Sequence, residues 1–130
     1  METSGSFEKL FTLEEARGLI PALRPRMQRM RRLWDQIQPH KEEAERAAKR
    51  VDLGGERLPG GGSYLPLVEE LKFQLAFFQK AGVEVKSLPA GLVDFPSERE
   101  GRVVYLCWHV EEETVSHWHE LDAGFVGRRA

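Results

Sequence analysis

The chain has a single cysteine, Cys107, in 130 residues, so no internal disulfide can form and a reducing compartment is expected. It has no excess of either charge. Lysine and arginine total 19 against 21 aspartates and glutamates, and the formal net charge of -2 gives no overall pull toward nucleic acid or acidic membranes. Long apolar runs are missing too: none approaches the roughly 18 residues that span a bilayer. No basic segment followed by an apolar stretch opens the chain between Met1 and Phe11. The expectation is a cytoplasmic protein without membrane or nucleic-acid partners. The composition, 41% hydrophobic and 31% charged, is that of a globular chain. The length suits one domain over 1–130 that can bury its own core.

Thr12-Leu13-Glu14-Glu15 has the form of a capping box and predicts a helix start. From there Leu13, Ala16, Ile20, Leu23, Met27, Met30, Trp34, Ile37, Lys41, Ala44, Ala48 and Val51 follow at steps of three and four, a heptad seam that only Lys41 interrupts. Pro21 and Pro25 predict a kink, or a short helix followed by a long one. Asp52 to Ser63, with Gly54, Gly55, Pro59, Gly60, Gly61 and Gly62, reads as a connector; no Gly-Lys-Ser/Thr ending supports a phosphate loop. A second helical pattern with Tyr64, Val68, Leu71, Leu75 and Phe78 on one stripe ends at Gly82. Residues 11–81 are thus expected to form a long antiparallel, coiled-coil-like helical hairpin around a 52–63 connector, whose seam could pair with another copy as a homo-oligomer.

The period then changes. Val83 to Val85, Leu92 to Phe95 and the β-branched, aromatic run Val103 to Trp108 read as strands, with Pro96 to Gly101 as a turn. Glu111 to Asp122 is expected to be a short C-terminal helix, because Val115, Trp118 and Leu121 are helix-spaced behind Glu113 or Thr114 as a cap. The fold class is α+β: a helical hairpin, then a small β/α cap over 82–130 that carries the candidate site.

That last segment concentrates side chains able to ligate metals or move protons. His117-x-His119 would chelate one ion from a strand, where both rings share a face, whereas on a helix the rings lie about 200° apart. The helix reading leaves one histidine pointing inward. Asp94 stands between Val93 and Phe95, where a lone carboxylate is costly to bury; it calls for a partner such as a metal, Arg102, Arg128 or an inward histidine from the next element. One acid of Glu111 to Glu113, with Asp94 and His119, would give two oxygens and one nitrogen, a set suited to zinc, manganese or iron. Cys107 reads chiefly as a small buried hydrophobe; a nucleophilic thiolate would need His109 or His119 beside it. Arg17, Arg24 and Arg31, seven apart, read as a solvated or subunit-pairing face. Gly124 to Arg129 could present amides and Arg128 to an anion, or be a flexible tail.

The blocks Phe11-Thr12-Leu13-Glu14-Glu15-Ala16, Gly91-Leu92-Val93-Asp94-Phe95-Pro96, Leu106-Cys107-Trp108, Trp118-His119-Glu120 and Gly124-Phe125 with Arg128 resemble the prokaryotic family called domain of unknown function 2203. The resemblance covers essentially the whole chain. It implies a small, mostly cytoplasmic protein with a helical N-terminal region and no established activity. Asp94, Cys107, Trp108, Glu112, Trp118, His119 and Arg128 match its pattern, while His109, Glu111 and His117 depart from it. The resemblance therefore singles out Asp94, Glu112 and His119 as the candidate catalytic or metal set, with Cys107 and Arg128 nearby. The expected role is divalent-metal or small-anion binding, with hydrolysis by an activated water as the chemistry such an ion would serve. The alternative is a helical self-association module whose C-terminal polar groups form a structural network.

Overall fold

The structure, a computed structural model, describes residues 7–54 and 64–130. Helix α1 spans Leu13–Gly54 and α2 spans Leu65–Ala81; strands β1 (Glu84–Ser87), β2 (Leu92–Arg99), β3 (Arg102–His109) and β4 (His117–His119) form one antiparallel sheet in the order β1-β2-β3-β4. The class is α+β. Most of the expected 52–63 connector lies outside the described residues, as do the side chains of Ala44, Ala48 and Val51.

The capping box forms. The Thr12 amide donates to Glu15 Oε1 at 2.9 Å, and the Glu15 amide donates to Thr12 Oγ1 at 3.0 Å. Pro21 and Pro25 do not divide α1, which continues through both and through Pro39 as one helix of 42 residues. Each proline removes one helical donor, but burial fixes the path: Ala16, Ile20, Leu23, Met27 and Met30 share a core with Phe78 of α2 and with Val93, Phe95, Leu106, Trp108 and Trp118 of the sheet. This stretch of the seam faces the chain's own core. Helix α2 lies alongside, through Arg29 paired with Glu70 at 2.7 Å, Arg26 bonded to Gln74 and His40 stacked on Tyr64; rising numbers on one helix meet falling numbers on the other. Gly82, at φ 83°, terminates α2 and returns its amide to Gln79.

The turn expected over Pro96 to Gly101 is much shorter. Strand β2 runs on to Arg99, and only Glu100 and Gly101 turn, both with positive φ (53° and 82°), as a two-residue hairpin loop requires. Pro96 is tolerated inside β2 because its carbonyl points away from β3, accepting from the Phe11 amide at 2.7 Å, so its missing donor falls outside the β2–β3 ladder.

The C-terminal helix expected over Glu111 to Asp122 does not form. Its carbonyls are taken from outside: Arg24 donates to Val110, Glu112 and Glu113, Arg17 to Val115, and Trp108 Nε1 to Glu112. Tertiary donors replace the helix's own amides. Arg31 likewise donates to the Pro89 carbonyl. The heptad-spaced stripe Arg17, Arg24 and Arg31 thus supplies clamps on loop backbone, with Arg17 still exposed. The segment passes through turns into β4, and the tail forms a 3-10 turn (Phe125–Gly127) before Arg129 bridges back to Trp118. Among the described residues, no helix is long and apolar enough to cross a membrane.

Candidate metal centre

Alternation along the strands gives the sheet two unlike faces. Val93, Phe95, Val104, Leu106, Trp108 and Trp118 belong to the core shared with the helices. The opposite face follows from the register: Asp94 pairs with Cys107 and Cys107 with His117, while Pro96 pairs with Tyr105 and Tyr105 with His119. Four chemically active side chains thus share one surface because β2, β3 and β4 are adjacent. The expected helix would have prevented this; on β4, His117 and His119 emerge on the same side.

Asp94, Cys107 and His119 are all buried, and one donor atom from each lies within 4.8 Å of the others. His119 Nε2 is 3.1 Å from Asp94 Oδ2, and His119 Nδ1 is 2.7 Å from the Glu120 carbonyl. A carbonyl only accepts, so Nδ1 carries a proton. The Asp94–His119 contact then holds one further proton, placing the pair either as carboxylic acid and imidazole or as carboxylate and imidazolium. Burial drives the Asp94 carboxyl above its ordinary value of 3.8; His119, Lys86 and the Cys107 thiol pull the other way without cancelling the effect. Asp94 Oδ1 is buried without a well-formed hydrogen bond, although the Cys107 thiol interacts with the carboxyl as a weak donor. The Cys107 thiol itself is pushed up to about 12, by burial first and by Asp94 second. Without a metal it is a thiol; His109 Nδ1 accepts from the Glu111 amide and the nearby His119 Nε2 faces Asp94 Oδ2, so no hydrogen bond among the described residues links a histidine to Cys107.

Glu112 stands apart from this trio. Its Oε1 accepts from the His109 amide and its Oε2 from Arg128, whose guanidinium also donates to His117 Nδ1 at 2.7 Å. Burial raises the Glu112 carboxyl, but Arg128 and the His109 amide outweigh it and hold the group below 4.5. The expected set of Asp94, Glu112 and His119 is thus brought together for two members, with Cys107 in the third place. Cys107, expected near this set, is drawn into it by the β2–β3 register. Arg102 and Arg128, the arginines considered as partners of Asp94, pair with Glu120 and Glu112.

Two grooves lie nearby. One, of about 720 Å³, is lined by Phe11, Arg17, Ser97, Arg99, His117 and Trp118 among others; the second, of about 470 Å³, by Lys9, Gln79, Glu84 and Pro96 among others. Neither is lined by Asp94, Cys107 or His119.

Fold and site together define a small α+β protein with a closed Asp-Cys-His donor cluster on the sheet face turned away from the helices. The chain belongs to the family described as an uncharacterized conserved protein, DUF2203, which matches residues 9–130. No curated protein and no solved structure matches it.

Proposed function

We propose that the protein is a divalent-metal-binding protein, a single cytoplasmic domain in which an antiparallel helical hairpin backs a sheet that holds an ion of the zinc class with Asp94, Cys107 and His119. The observation that carries this reading is three buried donor atoms within 4.8 Å of one another, one of them on a carboxyl whose second oxygen lacks a well-formed hydrogen bond. A buried acceptor left unsatisfied is costly, and an ion would satisfy it. The hydrogen bond from His119 Nδ1 to the Glu120 carbonyl also supports the reading, because it is the outer contact that presents Nε2 to a metal. A thiolate, an imidazole and a carboxylate favour zinc or cobalt over magnesium or calcium. The enclosure favours an ion that braces three strands; hydrolysis would require water to reach the buried cluster.

The test is competition for zinc against a chromophoric chelator, with Cys107→Ser and Asp94→Asn beside the wild type. The reading expects stoichiometric binding that weakens by about 100-fold or more in each variant. Absent binding, or equal binding by all three proteins, contradicts it.

A second reading has its own support. The Asp94–His119 hydrogen bond closes without any ion, so the group can act as a structural polar network. That reading expects zinc to leave thermal stability unchanged, and His119→Ala to cost about 3–5 kcal/mol by stranding a buried carboxyl.

A further inference from the structure

A zinc-class ion takes four donors, and Asp94, Cys107 and His119 supply three. We infer that His117 is the fourth ligand, so that β4 contributes a histidine pair to an Asp-Cys-His-His site. The inference rests on the metal reading above and adds which residue completes it. Glu84, Glu112 and His117 lie around the trio, outside the group of ligand atoms that fall within 4.8 Å of one another. Glu84, the register partner of Asp94 on β1, is committed to the Tyr105 hydroxyl at 2.9 Å and to Lys86 at 2.8 Å. Glu112 is committed to Arg128 and the His109 amide. His117 is the register partner of Cys107 on β4, where directly opposed side chains have Cβ atoms about 5 Å apart.

Its ring nitrogen already meets a positive group. Arginine only donates, so His117 Nδ1, 2.7 Å from the Arg128 guanidinium, accepts from it through its lone pair, with Ser116 Oγ 3.1 Å away. Glu112 Oε2 stands farther from that nitrogen, at 3.5 Å. The lone pair therefore already faces a cation. The buried Nε of Arg128 has no hydrogen-bond partner. A metal ion at Cys107 substitutes for this charge: the His117 ring turns about its side-chain torsions from the guanidinium to the ion. The His117 side chain retains 35% exposure, so the ring has room to turn.

The experiment is titration of the metal-free full chain with cobalt(II), whose visible band intensities report coordination number and whose near-ultraviolet band reports thiolate. The wild type is compared with His117→Ala and Glu112→Gln, after circular dichroism shows that each is folded. The wild type and Glu112→Gln should both give an intense four-coordinate spectrum with a thiolate band. His117→Ala should lose about 100-fold or more in affinity, or give the weak bands of a higher-coordinate, water-completed ion. If His117→Ala matches the wild type, or if Glu112→Gln is the variant that loses the spectrum, the assignment of His117 is overturned while the metal reading stands. If the wild type gives no thiolate band, both fall together.

Discussion

At the scale of single residues, protonation separates Cys107 from Glu112. The Cys107 thiol, pushed up to about 12, is protonated at neutral pH, and only thiolates attack alkylating agents. Metal-free native protein should therefore resist iodoacetamide and label only as it unfolds; rapid labelling of the folded protein, followed by mass spectrometry, would show that the thiol is not enclosed as described. Glu112 shifts the other way. Its folded value lies below the ordinary 4.5, so its contribution to stability is present above that value and is lost as pH falls through the folded value. Urea unfolding across the acid range should show wild type losing more stability than Glu112→Gln below pH about 4.5; parallel curves would contradict the Arg128 pairing. Asp94 has the opposite sign: its raised value adds stability at low pH that fades as the carboxyl ionises.

A large cost for a charged residue is expected at Arg24, which satisfies three loop carbonyls and covers the Trp108 ring. Arg24→Ala should lower stability by about 3 kcal/mol, measured by denaturant unfolding. A cost no larger than that of a surface arginine would count against the clamp.

At the scale of elements, the outcome depends on whether the deciding partner is near in sequence. The Thr12–Glu15 box, the end of α2 at Gly82 and the strand character of Val103 to Trp108 were legible because their signals are local. The C-terminal segment was not. Val115, Trp118 and Leu121 are helix-spaced, but the backbone around them is claimed by Arg17 and Arg24, nearly a hundred residues earlier. A sequence displays those arginines without displaying their acceptors. The site was legible to the same degree: Asp94 called for an inward histidine and received His119, while Cys107 entered through the β2–β3 register and Glu112 left through Arg128. Met27 shows the same limit, since its seam position fits an assembly face or a core equally well, and it is fully buried. Met27→Ala should cost about 2–5 kcal/mol in thermal or denaturant unfolding; near-neutrality would mean that α1 does not pack as described. Gly91→Ala should be similarly harmful, because φ is +70° and a Cβ there would lie 2.5 Å from Val110 Cγ1.

At the scale of the whole molecule, one side of the sheet is an apolar core closed by the helices, and the other carries a compact polar cluster. Arg17, Arg24 and Arg31 couple the two sides by fixing the loops at one end of the strands that bear the cluster, before β2 and between β3 and β4. A bound ion would join β2, β3 and β4 directly, so the folded state should gain stability with ion concentration by mass action. The most direct measurement is elemental analysis of the untagged wild type beside His119→Ala, both purified after growth with added zinc. The account predicts stoichiometric metal in the wild type and its loss in the variant. A metal-free wild type would contradict it, leaving Asp94, Cys107 and His119 as a polar network that holds the sheet together.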